Sequence, residues 1–176
     1  MRIVALTEET KKDILENLLK RSPNQYGKFE AAVAEIVGAV KEKGDEALFG
    51  YTEKFDHAKL TADTVQVTEA EIEEAYGLVD EKLVEVIRKA LVNIRGYHER
   101  QKQNSWFHTT EKGTLLGQKV TPMARVGVYV PGGKAVYPSS VLMNILPARV
   151  AGVSEIIMAT PCNASGKVNP AVLVSA

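Results

Sequence analysis

The chain has 176 residues, 45% of them hydrophobic, and 22 basic side chains balance 22 acidic ones. This length suffices to bury one hydrophobic core, and a net charge of zero excludes a strongly basic protein that binds nucleic acid or anionic membranes through its overall charge. A single cysteine excludes an internal disulfide framework and a CxxC metal or redox pair.

The charges are distributed unevenly. Residues 101–176 contain seven basic and two acidic residues, whereas residues 1–100 contain fifteen and twenty. A basic C-terminal half suits an anionic small ligand, but two ordinary solvated surfaces of different composition explain the counts equally well. Neither a signal peptide nor an apolar run near the roughly 20 residues of a membrane span is present. We therefore expect a cytoplasmic protein with no membrane or nucleic-acid partner.

The first hundred residues are predicted to be helical. Thr7, followed by two glutamates, predicts a helix start, and that helix ends at a break over residues 22–24. A second helix is predicted up to Gly44, and Asp45 begins a third toward Phe55. The second helix carries one apolar face (Phe29, Val33, Ile36, Val37 and Val40).

A long helix is predicted between Asp80 and Lys102. A short extended segment at residues 65–67 and a capping box formed by Thr68 and Glu71 precede it. The long helix has one apolar stripe that needs a partner surface, either in the same domain or in another subunit; it is formed by Leu83, Ile87, Leu91, Ile94, Tyr97 and His98.

The pattern changes after Trp106 to an α/β one. Residues 113–121 predict a hairpin or edge strand, and two apolar strands at residues 126–130 and 155–159 flank a helix that runs from Ser139 or Ser140 to Ala151. The strands are predicted to be parallel and buried. Asn169-Pro170 starts a last helix. We predict a helical region at residues 1–105 and the first part of an α/β domain at 106–176. This domain is expected to be incomplete, because two parallel strands cannot form a stable sheet.

The loop after the first parallel strand is the candidate ligand contact. Gly132 and Gly133 would let a backbone approach a ligand, and the helix that begins near Ser139 supplies free N–H groups. However, the sequence lacks GxGxxG and GxxxxGK[ST], so a plain strand-to-helix turn is the alternative. Tyr129 would stack on a flat ligand or, as its position alone favours, belong to the core.

The remaining reactive residue types give no catalytic group. His57 is predicted in an exposed turn, His98 as a half-buried partner of Gln101, and His108 in a loop, without zinc-ligand spacing. Cys162 fits an inert loop or buried residue. Four glutamates form a predicted solvated helix face (Glu69, Glu71, Glu73 and Glu74).

The segment RVGVYVPGGKAVYPSSVLM at residues 125–143 closely resembles a signature stretch of histidinol dehydrogenases. The similarity continues through PARVAGV at residues 147–153. Upstream, GDEAL at 44–48, NI at 93–94 and LGQ at 116–118 also match, so the resemblance covers residues 29–176 in order.

The resemblance implies an N-terminal part of an enzyme that oxidises L-histidinol to L-histidine in two NAD-dependent steps. It implies a zinc-dependent homodimer with an incomplete Rossmann-like core. Of the family's cofactor contacts, only the tyrosine of the Tyr-Val-Pro-Gly-Gly motif maps here, as Tyr129, which makes this residue a predicted NAD neighbour. The zinc ligands and the catalytic Glu-His pair map beyond residue 176, so the chain is expected to be inactive and to bind no cofactor tightly.

Two other functions remain open at this point. The chain could be a complete, non-enzymatic α/β module that binds a nucleotide or small metabolite at Gly132 and Gly133. It could also be an assembly element built on the long helix at residues 80–102.

Overall fold

The computed structural model describes residue 5 and residues 7–19, 27–133 and 135–176. The elements in chain order are α1 (Glu8–Leu19), α2 (Gly27–Lys43), α3 (Asp45–Asp56), α4 (Glu69–Leu78), α5 (Glu81–Glu99), β1 (Trp106–Thr109), β2 (Leu115–Gln118), β3 (Arg125–Tyr129), α6 (Pro138–Ala151), β4 (Glu155–Ala159) and α7 (Pro170–Ser175). The predicted break at residues 22–24 lies outside the described part. None of the described helices combines the length and apolar character needed to cross a membrane.

The chain divides into two compact units, Met1–Tyr51 and Thr52–Ala176. The first contains the three predicted N-terminal helices up to the middle of α3, and Gly44 separates α2 from α3 with a positive φ of 58°. The predicted boundary after residue 105 lies inside the second unit, where helices give way to strands. As a domain boundary it remains a prediction.

The capping box before α4 is confirmed. The Thr68 hydroxyl accepts a hydrogen bond from the Glu71 amide at 3.3 Å, and the Glu71 carboxylate accepts one from the Thr68 amide at 2.9 Å. The predicted extended segment at residues 65–67 is wrong, because the chain turns there. Thr61 donates its amide to the Thr64 hydroxyl at 2.9 Å, a local side-chain bond that competes with an extended conformation.

The long helix α5 finds its partner in the same chain. Ile87 packs with Leu142 and Leu146 of α6, and three half-buried residues of α5 join them (Ala90, Leu91 and Ile94). The predicted stripe is shifted at both ends, since Leu83 and Tyr97 are exposed. Val84 is buried instead, against residues of α4 and α7 (Ala75 and Val174).

The predicted β–α–β unit is confirmed. Strands β3 and β4 pair in parallel, from Arg125 opposite Glu155 to Tyr129 opposite Ala159, and α6 connects them. Val130 and Val141 are fully buried and contact Val172 of α7. The expectation that these strands are buried on both faces is wrong for this part of the chain, because α6 and α7 cover only the face that carries Val126, Val128 and Met158.

Residues 113–121, predicted to form a hairpin or an edge strand, contain β2 alone. This strand forms a hairpin with the earlier β1, and the two pair antiparallel from Trp106 opposite Gln118 to Thr109 opposite Leu115. All eight strand residues are exposed. His108 lies within β1, so the prediction that it belongs to a loop is wrong.

Candidate functional site

Tyr129 lies at the carboxyl end of β3 with its ring in the open. The side chain is 63% exposed, and it shares the uncovered face of the sheet with Gly127 and Ile157. The interpretation of Tyr129 as a core residue is therefore wrong. The reason is strand alternation: Val128 and Val130 point to the helices, so the residue between them points away. An exposed ring at this end of a parallel strand is placed to stack on a flat ligand.

The glycine loop follows directly. Gly133 has a positive φ of 92°, a conformation that favours glycine. Gly132 lies against the loop that follows β4, because a β-carbon at position 132 would come 3.4 Å from the Pro161 Cδ atom. The two loops at the carboxyl ends of β3 and β4 therefore touch each other beside Tyr129.

The first turn of α6 lies near this region, because Val141 packs with Val130. The helix begins at Pro138, with Ser139 and Ser140 inside its first turn, and no acidic residue lies in that turn. Its positive dipole end is therefore not neutralised by its own side chains. Tyr137 occupies the capping position without a side-chain hydrogen bond to the helix. Its carbonyl accepts a hydrogen bond from the Ser140 amide at 3.0 Å, and Pro138 has no N–H to donate.

The loop from β4 to α7, residues 160–169, contains a closed turn that the sequence analysis did not recognise as ordered. The Asn163 Oδ1 atom accepts hydrogen bonds from the Ser165 amide at 3.0 Å, the Ser165 hydroxyl at 2.7 Å and the Lys167 amide at 3.0 Å. The Asn163 amide donates to the Lys167 carbonyl at 2.9 Å. The predicted cap of α7 is confirmed, since Asn169 accepts from the Ala171 amide at 3.0 Å.

Lys167 joins this turn to α4. Its Nζ atom lies 3.1 Å from Glu71 Oε1 and 3.6 Å from Glu74 Oε2. The prediction of a solvated glutamate face is thus wrong for Glu71, which is half-buried, whereas Glu74 is exposed as predicted. The amide of Thr68 and the ammonium of Lys167 hold the pKa of Glu71 below its usual value, and Glu71 in turn raises the pKa of Lys167. Lys167 and Glu71 are 96 residues apart in sequence, so no local sequence pattern predicts this ion pair.

Cys162 lies in the same loop, half-buried, as the sequence predicted for an inert thiol. Burial raises the pKa of its thiol, which keeps it protonated at neutral pH and a poor nucleophile. Two of the histidines have the environments that the sequence predicted. His57 is exposed, and the His98 Nδ1 atom is 2.7 Å from the Gln101 Oε1 atom, both as predicted.

The described residues do not fit a zinc ion. Within residues 5, 7–19, 27–133 and 135–176, no three His, Cys, Asp or Glu side chains form a group that could hold a metal. Zinc needs about four such ligands, or three and a water. The arrangement present, an exposed aromatic ring, two glycines and a helix N-terminus at the strand ends, suits a flat, anionic organic ligand.

Comparison with known proteins gives one consistent result for the family. A family model described as histidinol dehydrogenase matches residues 19–176. Curated histidinol dehydrogenases from Geobacillus kaustophilus and Bacillus subtilis are 52% and 54% identical over 145 and 144 residues, 82% of this chain in each case. One from Syntrophotalea carbinolica is 45% identical over all 176 residues. The chain spans only 34%, 33% and 41% of the lengths of these relatives.

A solved structure gives the same result for the fold. The crystal structure of histidinol dehydrogenase from Elizabethkingia anophelis superimposes with a TM-score of 0.77 at 37% identity, covering 84% of this chain and 34% of that one. This match confirms the predicted fold class, an N-terminal helical region followed by the start of an α/β domain.

Proposed function

The chain belongs to the histidinol dehydrogenase family, and we propose that it contributes, as the N-terminal part, to an enzyme that oxidises L-histidinol to L-histidine in two NAD-dependent steps. The observation that carries the proposal is sequence identity of about half, over most of the chain, to several enzymes of that name. This favours the enzyme over the two alternatives, a separate binding module and a pure assembly element. The packing of α5 on α6 also removes the need for a second subunit to cover that helix.

We propose that Tyr129 contacts NAD in this enzyme. NAD, when bound, accepts a hydride from the substrate. The chain's part is to hold it: the exposed ring of Tyr129 offers a stacking surface, and Gly132 and Gly133 let the backbone come close. The positive dipole end of α6, whose first turn contains no acidic residue, favours a negatively charged pyrophosphate.

The described residues supply no step that depends on zinc. We propose that the enzyme's zinc ligands and its acid–base pair are contributed by parts of the enzyme outside this chain, so that the chain alone is inactive and binds neither cofactor tightly. The homodimer, the cytoplasmic location and the absence of nucleic-acid and membrane partners are likewise proposals for the enzyme as a whole.

The test measures NADH formation from L-histidinol with NAD and zinc. The histidinol dehydrogenase of Bacillus subtilis is the positive control, and this chain is assayed at the same molar concentration. We expect turnover by the relative and none by the chain. Turnover by the chain alone, or one tightly bound zinc per chain, would contradict the proposed division of roles.

The cofactor contact is tested by titrating the isotope-labelled chain with NAD and following the amide signals near Tyr129. We expect weak binding that shifts signals of the β3 end and the glycine loop, and that weakens in Tyr129→Leu. Tyr76→Leu on α4, which removes another exposed ring, is the matched control. Equal NAD affinity of both variants would remove Tyr129 from the site.

A further inference from the structure

The ion pairs of Lys167 connect two elements that are distant in sequence. The ammonium bridges Glu71 and Glu74 of α4, at 3.1 and 3.6 Å, while the Lys167 backbone belongs to the loop after β4. Glu71 divides its two oxygens between two tasks. Its Oε2 atom accepts the Thr68 amide of the capping box, and its Oε1 atom meets Lys167. The capping box therefore orients the carboxylate independently of the lysine.

Lys167 is also tied rigidly to its own turn. The Lys167 amide donates to the Asn163 side chain at 3.0 Å, and its carbonyl accepts from the Asn163 amide at 2.9 Å. Gly166 completes the turn with a positive φ of 77° and donates its amide to the Asn163 carbonyl at 2.8 Å. The ion pairs of the Lys167 side chain are therefore connected, through the Lys167 backbone, to the whole turn.

Residues on both sides of this turn in sequence contact the candidate cofactor region. Before it, Pro161 lies against Gly132 of the glycine loop. After it, Val168 packs on the cluster that contains Val130, the residue next to Tyr129. Both ends of the turn thus contact the segment that carries the candidate ligand contacts.

We propose that Lys167 is a positioning residue: through Glu71 and Glu74 it holds the β4–α7 loop so that Pro161 fixes the place of the Gly132 loop beside Tyr129. The meaning for catalysis rests on the proposed function, because the positioned loop is the candidate NAD contact. An exposed ion pair contributes little to global stability, so its removal should change the local placement of the loop and leave the fold intact.

The experiment compares Lys167→Met with Lys167→Arg and with Lys112→Met, which removes an exposed lysine from the hairpin turn. The readouts are the amide signals of Gly132 and Gly133 and hydrogen exchange of residues 160–168, without ligand. We expect Lys167→Met to shift the Gly132 amide and speed exchange in the turn, with only a small loss in thermal midpoint. Lys167→Arg should restore the wild-type signals, and Lys112→Met should match wild type.

Glu71→Gln identifies the partner, because glutamine preserves the capping box but not the charge. We expect it to shift the Gly132 amide as Lys167→Met does, and the double variant to add no further shift. If the Gly132 signals in Lys167→Met stay within the small changes seen for Lys112→Met, the proposal is overturned.

NAD titration separates this proposal from the proposed function. Where wild type binds NAD, Lys167→Met should bind about two- to fivefold more weakly, a loss in the range of exposed ion pairs, and equal affinity would overturn the positioning role. If NAD shifts no signal of the wild-type chain, the cofactor assignment fails, while the ligand-free Gly132 signals still decide whether Lys167 positions the loop.

Discussion

The second compact unit contains two sheets of two strands each, and they are built in opposite ways. In the β1–β2 hairpin the strands are neighbours in sequence, and all their side chains are exposed. In the β3–β4 pair a helix intervenes, and one face of the sheet carries the fully buried Val130. In this unit the strand pair with a core is the one whose connecting helix packs back onto it.

The hairpin uses a local device in place of a core. The Ser105 hydroxyl accepts from the Val120 amide at 2.9 Å and donates to the Val120 carbonyl at 3.3 Å, which closes the open end of the two strands. An isolated two-stranded hairpin is at best marginally stable in water. Its persistence here therefore depends on such hydrogen bonds rather than on burial.

The largest expected effect comes from truncating one leucine in α6, the helix that connects β3 and β4, compared with one leucine in the hairpin. Leu142→Ala opens a cavity between α5 and α6 and should lower the free energy of unfolding by about 2–4 kcal/mol. Leu116→Ala in β2, whose side chain is 54% exposed, should cost less than about 1 kcal/mol. Equilibrium urea denaturation measures both. Similar losses would mean that the hairpin is packed against something in solution.

A glycine in each sheet gives the next test. A β-carbon at Gly117 of β2 would collide with the Trp106 carbonyl, whereas one at Gly127 of β3 meets nothing within 4 Å. Gly117→Ala should therefore distort the hairpin and cost about 1–3 kcal/mol. Gly127→Ala should be neutral or slightly stabilising, because alanine restricts the unfolded chain more than glycine does. Amide exchange in β1 and β2 and thermal unfolding measure the difference, and equal behaviour would contradict the hairpin geometry.

The capping box of α4 provides a smaller effect. Thr68→Ala removes the acceptor for the Glu71 amide and should lower stability by about 1 kcal/mol. Thr68→Ser retains the hydroxyl and is the matched control, expected to stay within about 0.5 kcal/mol of wild type. Thermal unfolding measures both, and an equal loss in the two variants would show that the cap contributes nothing.

The parts predictable from sequence are those encoded by neighbouring residues. The Thr68–Glu71 spacing gave the cap of α4, Asn169-Pro170 gave the start of α7, and strand–helix–strand order gave the parallel pair. The predictions that were wrong concern burial, which depends on tertiary packing. Burial of Val84 rather than Leu83 follows from where α7 lies, and the exposure of Tyr129 follows from which face the helices cover.

The candidate site divides in the same way. The resemblance supplied Tyr129, and the glycine loop was visible as a break after a strand. The turn around Asn163 was not recognised, since its order comes from side-chain acceptors that composition does not reveal. The Lys167 ion pairs could not be read from sequence at all, because no periodicity links α4 to the β4–α7 loop.

The smallest expected effect is the pH dependence of those ion pairs. The pKa of Glu71 is lowered in the folded chain, so its contribution is present above its unfolded pKa and is lost as the pH falls through the folded value. The pKa of Lys167 is raised, so its contribution is present below its unfolded pKa and is lost as the pH rises through the folded value. The interaction is therefore complete at neutral pH and weakens at both extremes.

The difference in thermal midpoint between wild type and Glu71→Gln should accordingly be largest near neutral pH. It should vanish in acid, where wild-type Glu71 becomes protonated and uncharged like glutamine, and shrink in high salt because the pair is exposed. Glu73→Gln, which removes a charge from an exposed position of the same helix, controls for net charge and should show no such maximum. A deficit that stays constant with pH would show that the charge of Glu71, and with it the ion pair to Lys167, contributes nothing to stability.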